Sequence, residues 1–195
     1  MSDTVLTSRE RNVDGRPVPA TGTWTIDPAH TSIEAIARHL MITKVRGSFE
    51  RFTGTITVAE DPADSSVEVE IEAASINTRD AQRDAHLRSP DFLDAEGHPT
   101  LHFRSTGVEP RGGDRWTVHG DLRIRDITRP AVLDMRYLGT HTDPWGQAKA
   151  AFSATTELDR EAWGMTWNQA LEAGGVLVGK TLKVELEVQA SLATG

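Results

Sequence analysis

The sequence predicts a mainly all-β domain of about eight long antiparallel strands joined by one short helical crossover. Three observations carry this. First, apolar and polar residues alternate strictly in several segments, the signature of strands with one buried face. In "VEVEIEAAS", Val67, Val69, Ile71 and Ala73 share one face and Glu68, Glu70 and Glu72 the other. In "WTVHGDLRIRD", Trp116, Val118, Leu122 and Ile124 oppose Thr117, His119, Asp121, Arg123 and Arg125. In "TLKVELEVQA", Leu182, Val184, Leu186 and Val188 oppose Lys183, Glu185, Glu187 and Gln189. Second, turn formers separate such segments: Asp61-Pro62, Gly112-Gly113-Asp114, and Asp143-Pro144 with Gly146. Third, one apolar face per strand means antiparallel sheet. A sandwich and a closed barrel both satisfy that pattern, and a barrel removes the edges that long strands would expose.

In chain order, residues 1–20 are polar and carry Pro17 and Pro19, which predicts a flexible N-terminal tail before a barrel domain over 21–192. Further strands are expected at about 22–26, 31–39, 46–59, 99–109, 128–140 and 146–158. Between them, "RDAHLRSPDFLDAEGHPTLHF" breaks the alternation. Thr78 is the expected cap of a helix over 79–88, and Ser89 with Pro90 the start of a second short helix. Gly97 suits a left-handed C-terminal position before His98-Pro99 forces extension. A minor helical stretch is also expected over about 160–171. The crossover is a lid, either over a solid core or over a cavity mouth.

At 195 residues the chain is one domain. It contains no cysteine, which excludes disulfides, thiolate metal sites and cysteine nucleophiles. A net charge of −8 argues against nucleic acid as a partner. No apolar run approaches the roughly 20 residues needed to span a bilayer. The first residues lack a secretory signal pattern, so the expected compartment is the cytoplasm. His98 and His102 are four apart, but Pro99 lies between them and no third ligand stands nearby, so no metal is expected. No nucleophile elbow is present, and no catalytic residue or cofactor is assigned. Gly174, Gly179, Lys180 and Thr181 satisfy phosphate-loop spacing, yet Thr181 opens an alternating strand where a helix would be needed.

The interior is more informative. Glu34 and Arg38 fix the solvent face of "SIEAIARHLM", so Ile33, Ala35, Ala37 and His39 face inward. The His39 ring must find a partner there, either a neighbouring strand or a ligand head group. Small inward residues recur at Ala73, Gly120, Ala131, Ala148, Ala150 and Ala154. A barrel of this size can fill with side chains or hold one ligand, and small wall residues favour the ligand. The expected cavity wall is Ile33, Ala35, Ala37, His39, Phe103, Trp116, Val118, Met135, Tyr137 and Phe152.

The blocks "WTIDPAH", "ARHLMITKVRGSFERFTGTI", "SINTRDAQRDAHLRSPDFLDAEGHPTLHFRS", "GDLRIRDITRPAVLD" and "LDREAWGMTWNQALEAGGVLVG" together closely resemble the YceI-like family over about 22–190. The resemblance implies a lipocalin-like antiparallel barrel of eight strands, with 79–97 as the helix-bearing crossover beside it. It further implies an apolar internal pocket for a polyisoprenoid or similar long-chain amphiphile, and it brings no catalytic residues. Ala35 and Ala37 depart from the pattern, standing where relatives carry larger side chains. The leading expectation is a non-enzymatic protein that binds, sequesters or transports such a chain. A lipid-modifying enzyme using the inward histidine and a packed-barrel stress or interaction protein are the alternatives. A homodimer stays open.

Overall fold

The computed structural model describes residues 9–193. The alternating segments become strands β1 (Glu10–Val13), β2 (Arg16–Pro19), β3 (Gly22–Ile26), β4 (Ser32–His39), β5 (Thr43–Phe49), β6 (Phe52–Val58), β7 (Ser66–Glu72) and β8 (Ile76–Asn77). After helix α1 (Ala81–Arg88) come β9 (Thr100–Gly112), β10 (Arg115–Ile124), β11 (Ile127–Thr142), β12 (Ala148–Asp159) and β13 (Thr181–Leu192).

Three of the long strands are bent, and each appears as two segments: β3 with β4, β5 with β6, and β7 with β8. A one-turn 3-10 helix at Pro28–His30, capped by the Asp27 carboxylate, interrupts the first. The second, expected as one strand over 46–59, bends at Glu50-Arg51. Irregular bonds carry the sheet across that bend, from the Glu50 N–H to the Ser75 carbonyl and from the Glu72 N–H to the Arg51 carbonyl. Each of these long strands pairs antiparallel with its predecessor, and β13 pairs with both β12 and the β3–β4 strand. The result is a closed eight-stranded up-and-down barrel, with no long free edge among the described residues. Turns alternate between its ends. One end carries the β4–β5 turn, α1 and the 160–180 connection, and the other carries the β6–β7 and β11–β12 turns.

The expected flexible tail is corrected for its described part. Residues 1–8 lie outside the described residues, but 10–19 form an antiparallel hairpin, β1 against β2. Asp14 and Gly15 both take positive φ, 50° and 79°, as a tight two-residue hairpin turn requires. Arg11 then fastens the hairpin by donating to the carbonyls of Pro19, Ala59 and Glu60. Val18 is buried. The two prolines that suggest a tail are tolerated because β2 is an edge strand.

The crossover also differs in detail. Asp80 caps α1 by accepting from the Arg83 N–H at 3.0 Å. Thr78 is bonded elsewhere, its N–H and hydroxyl donating to the buried Asp84 carboxylate at 2.8 and 2.6 Å. Residues 90–97 form turns instead of a second helix, because Phe92 and Leu93 are pulled into the core while Ser89 closes α1. Asp94, at φ 48°, takes the left-handed position expected of Gly97. Over 160–171, only Arg160–Trp163 is helical, as a 3-10 turn.

Candidate functional site

The inner faces of the strands enclose a cavity of about 910 Å³ with an overwhelmingly apolar wall. Its size lies in the range of small-molecule sites, and a barrel of eight strands is wide enough to hold one ligand. Ile33, Ala35, Ala37 and His39 border it from β4, and Phe103 from β9. Trp116 and Val118 border it from β10, Met135 and Tyr137 from β11, and Phe152 from β12. All ten positions singled out in the sequence therefore lie on the wall.

The small residues divide into two groups. Ala35, Ala37, Ala131 and Ala154 face the cavity, whereas Ala73, Ala148 and Ala150 are buried in the core without bordering it. Gly120 opens no space at all. A Cβ there would lie 2.5 Å from Phe103 Cε2 and 2.8 Å from the Arg104 carbonyl oxygen, so the phenyl ring covers the glycine. Gly120→Ala is accordingly expected to destabilise by about 1–3 kcal/mol, the overpacking range. Urea unfolding measures it, and adding Phe103→Leu should recover part of the loss. An unchanged midpoint would mean that the ring moves aside freely.

Strands β6, β7 and β13 follow the same alternation and add wall residues beyond those ten, among them Ile56, Val69, Val184 and Leu186. The connection after β12 also contributes Trp167, Leu177 and Val178, which no periodicity announces.

Polar groups gather at the α1 end. Arg38, His39, Asp80, Gln82, Arg83 and His86 all border the cavity there. Arg83 brackets Thr78, donating from Nε to its hydroxyl at 2.8 Å and from Nη2 to its carbonyl at 3.0 Å. His86 Nε2 lies 2.8 Å from Asp91 Oδ2, and its ring meets Trp167 edge-on at 4.5 Å. The partner expected for the His39 ring is not found among the described residues. The ring is half-buried at the end of β4, where the backbone forms a bridge to Val178. Leu40, Met41 and Ile42 are exposed on the turn beyond it.

Arg160 borders the cavity too, without any pattern in the sequence to mark it. It is 2% exposed, and its guanidinium donates to the carbonyls of Gly179 at 3.0 Å and Val178 at 3.3 Å, and to that of Met165. Burial lowers its pKa, opposed by the nearby charges of Glu161 and Asp159. At the other end, burial pushes the Tyr137 phenol well above its ordinary value, and its hydroxyl donates to Glu10 at 2.9 Å. Among the described residues no three His, Asp or Glu side chains gather as metal ligands, and no helix is long and apolar enough to cross a membrane. Gly174 and Gly175 lie in a turn and Thr181 opens β13, so no phosphate cradle leads into a helix.

A family model described as YceI-like domain matches residues 24–190. A UPF0312 protein of Staphylococcus aureus is 35% identical over 173 residues, covering 87% of this chain and 97% of the relative. One from Vibrio cholerae is 37% identical over 140 residues, covering 70% and 73%. Among solved structures, a Campylobacter jejuni YceI protein superposes with a TM-score of 0.69 at 25% identity, covering 80% of this chain and 90% of that one. Burkholderia cenocepacia BcnA gives 0.74 at 18% identity, covering 87% and 99%. A polyisoprenoid binding domain from Saccharophagus degradans gives 0.64 at 10% identity, covering 87% and 98%. The last two likenesses concern the fold alone. A match that begins at Trp24 and runs to Ala190, nearly the whole barrel, makes this chain a member of the YceI-like domain family.

Proposed function

We propose that the protein binds the long apolar chain of a polyisoprenoid or fatty amphiphile inside the barrel, to sequester or carry it without chemical change. The observation that carries this is the apolar cavity of about 910 Å³, with polar side chains gathered at the α1 end. Each methylene moved from water into such a wall gains about 0.8 kcal/mol, so a chain of ordinary length binds without any specific polar contact. The ten wall residues from Ile33 to Phe152 named above would touch the chain, and His39 or Arg38 would face its head group. The family membership and the barrel fold shared with a polyisoprenoid binding domain fit a ligand of this shape. A non-enzymatic role is favoured because the polar groups at the cavity end are engaged in local structure. Arg83 is committed to Thr78, among the described residues His39 has no orienting partner of the kind a general base requires, and His86, which has one in Asp91, is packed edge-on against the rings of Phe92 and Trp167.

Native mass spectrometry of the purified protein tests this. A bound long-chain lipid is the expected result, and its mass gives the class. A protein that carries no lipid and takes up no fluorescent fatty acid would overturn the reading. Chemical conversion of a bound lipid would favour the enzyme alternative.

A further inference from the structure

We propose that the β1–β2 hairpin is the stop of the lipid cavity, and that Val18 and Pro19 fix the longest chain it accepts. The ligand then enters at the opposite, α1-bearing end. This rests on the lipid-binding reading above and adds to it a determinant of chain length.

Val18 and Pro19 are both buried and border the cavity, although the hairpin belongs to no barrel strand. Two four-residue strands cannot hold themselves in water. This hairpin is held from three directions. Arg11 donates to the carbonyls of Ala59 and Glu60 on the β6–β7 turn. Tyr137, itself a wall residue on β11, donates to Glu10. The indole of the fully buried Trp24 on β3 donates to the Ala20 carbonyl at 3.0 Å, fixing the point where the hairpin joins the barrel.

The two ends of the cavity thus differ in chemistry. At one end, Arg38, Asp80 and Gln82 are exposed and border the cavity. At the other, the buried Val18, Pro19 and Pro62 border it, with the half-buried Ser65 and the exposed Ser66 beside them and no charged side chain among these five. An amphiphile loses least by leaving its polar head among the exposed charges and running its tail toward the hairpin. The hairpin also lies wholly outside residues 24–190, the part of the chain that the family shares. The length limit it sets is therefore separate from the barrel that the family model matches.

The test uses the full chain and two variants, Val18→Trp and Val18→Ala. Each is titrated with lauric, myristic, palmitic, stearic, arachidic and behenic acid against a displaced fluorescent fatty acid, and thermal melting checks folding. The readout is the ratio of affinities between neighbouring acids. Affinity should rise about fourfold per methylene up to the stop, then level or fall. Val18→Trp should move that break to a shorter acid and Val18→Ala to a longer one. If the unchanged protein shows no break, or both variants keep it in place, the hairpin is not the stop, and the lipid-binding reading survives. If the unchanged protein binds none of the acids, the lipid-binding reading itself fails. Should Val18→Trp not fold, the direction of the Val18→Ala shift decides alone.

Discussion

Replacing Arg160 by methionine is expected to lower the unfolding free energy by about 2–4 kcal/mol, the cost of leaving two backbone carbonyls without a donor. Swapping a buried charged group for an apolar one of similar length is often neutral when its partners leave with it. Here the partners stay. The carbonyls of Met165, Val178 and Gly179 are backbone, and no substitution at 160 removes them; that of Val178 keeps the Asn168 amide as a donor, while the other two lose theirs. Each buried acceptor left unpaired costs about 1–3 kcal/mol. Arg160→Lys should rescue little, because one ammonium cannot reproduce the planar fork that reaches acceptors at both ends of the 165–179 connection. Urea unfolding of both variants measures the effect. A methionine variant within about 1 kcal/mol of the parent would show that the connection rearranges to satisfy its own carbonyls.

The barrel was legible because its strands are long. Four or five alternating positions, as in 67–73 or 182–189, fix a buried face without reference to the rest of the chain. The cavity wall follows from the same parity, which is how Ile33, Ala35 and Ala37 come to be placed beside Phe103 and Trp116. Short or non-repeating elements were not legible in that way. The hairpin has only four residues in each strand, and its one strong mark is the Asp14-Gly15 pair, a hairpin signal overshadowed by the prolines. In the crossover, Thr78, Asp80 and Ser89 are all competent caps by residue type. The burial of Asp84 against Thr78 decides among them, and burial is a tertiary fact. Gly120 shows the limit of reading volume from composition. A small residue means space only when no neighbour leans over it, and the Phe103 ring does so from the adjacent strand.

Placing a phenyl ring on the cavity wall with Ala35→Phe is expected to weaken binding of a fluorescent fatty acid by about two orders of magnitude while leaving the fold intact. Ala35 borders the cavity from β4, with Gly47 and Val184 as its cross-strand neighbours. The small methyl group leaves the space in front of it to a ligand. A ring there displaces roughly four methylenes of bound chain at about 0.8 kcal/mol each, or about 3 kcal/mol in total. In a packed core the same substitution would destabilise by about 1–3 kcal/mol. In a void the ring buries apolar area without compressing its neighbours, so the ligand-free protein should melt at or above the parent temperature. The two measurements on one variant separate a hollow barrel from a filled one. A variant that melts far lower yet binds the fatty acid unchanged would show that this part of the wall is already packed and that the chain lies elsewhere.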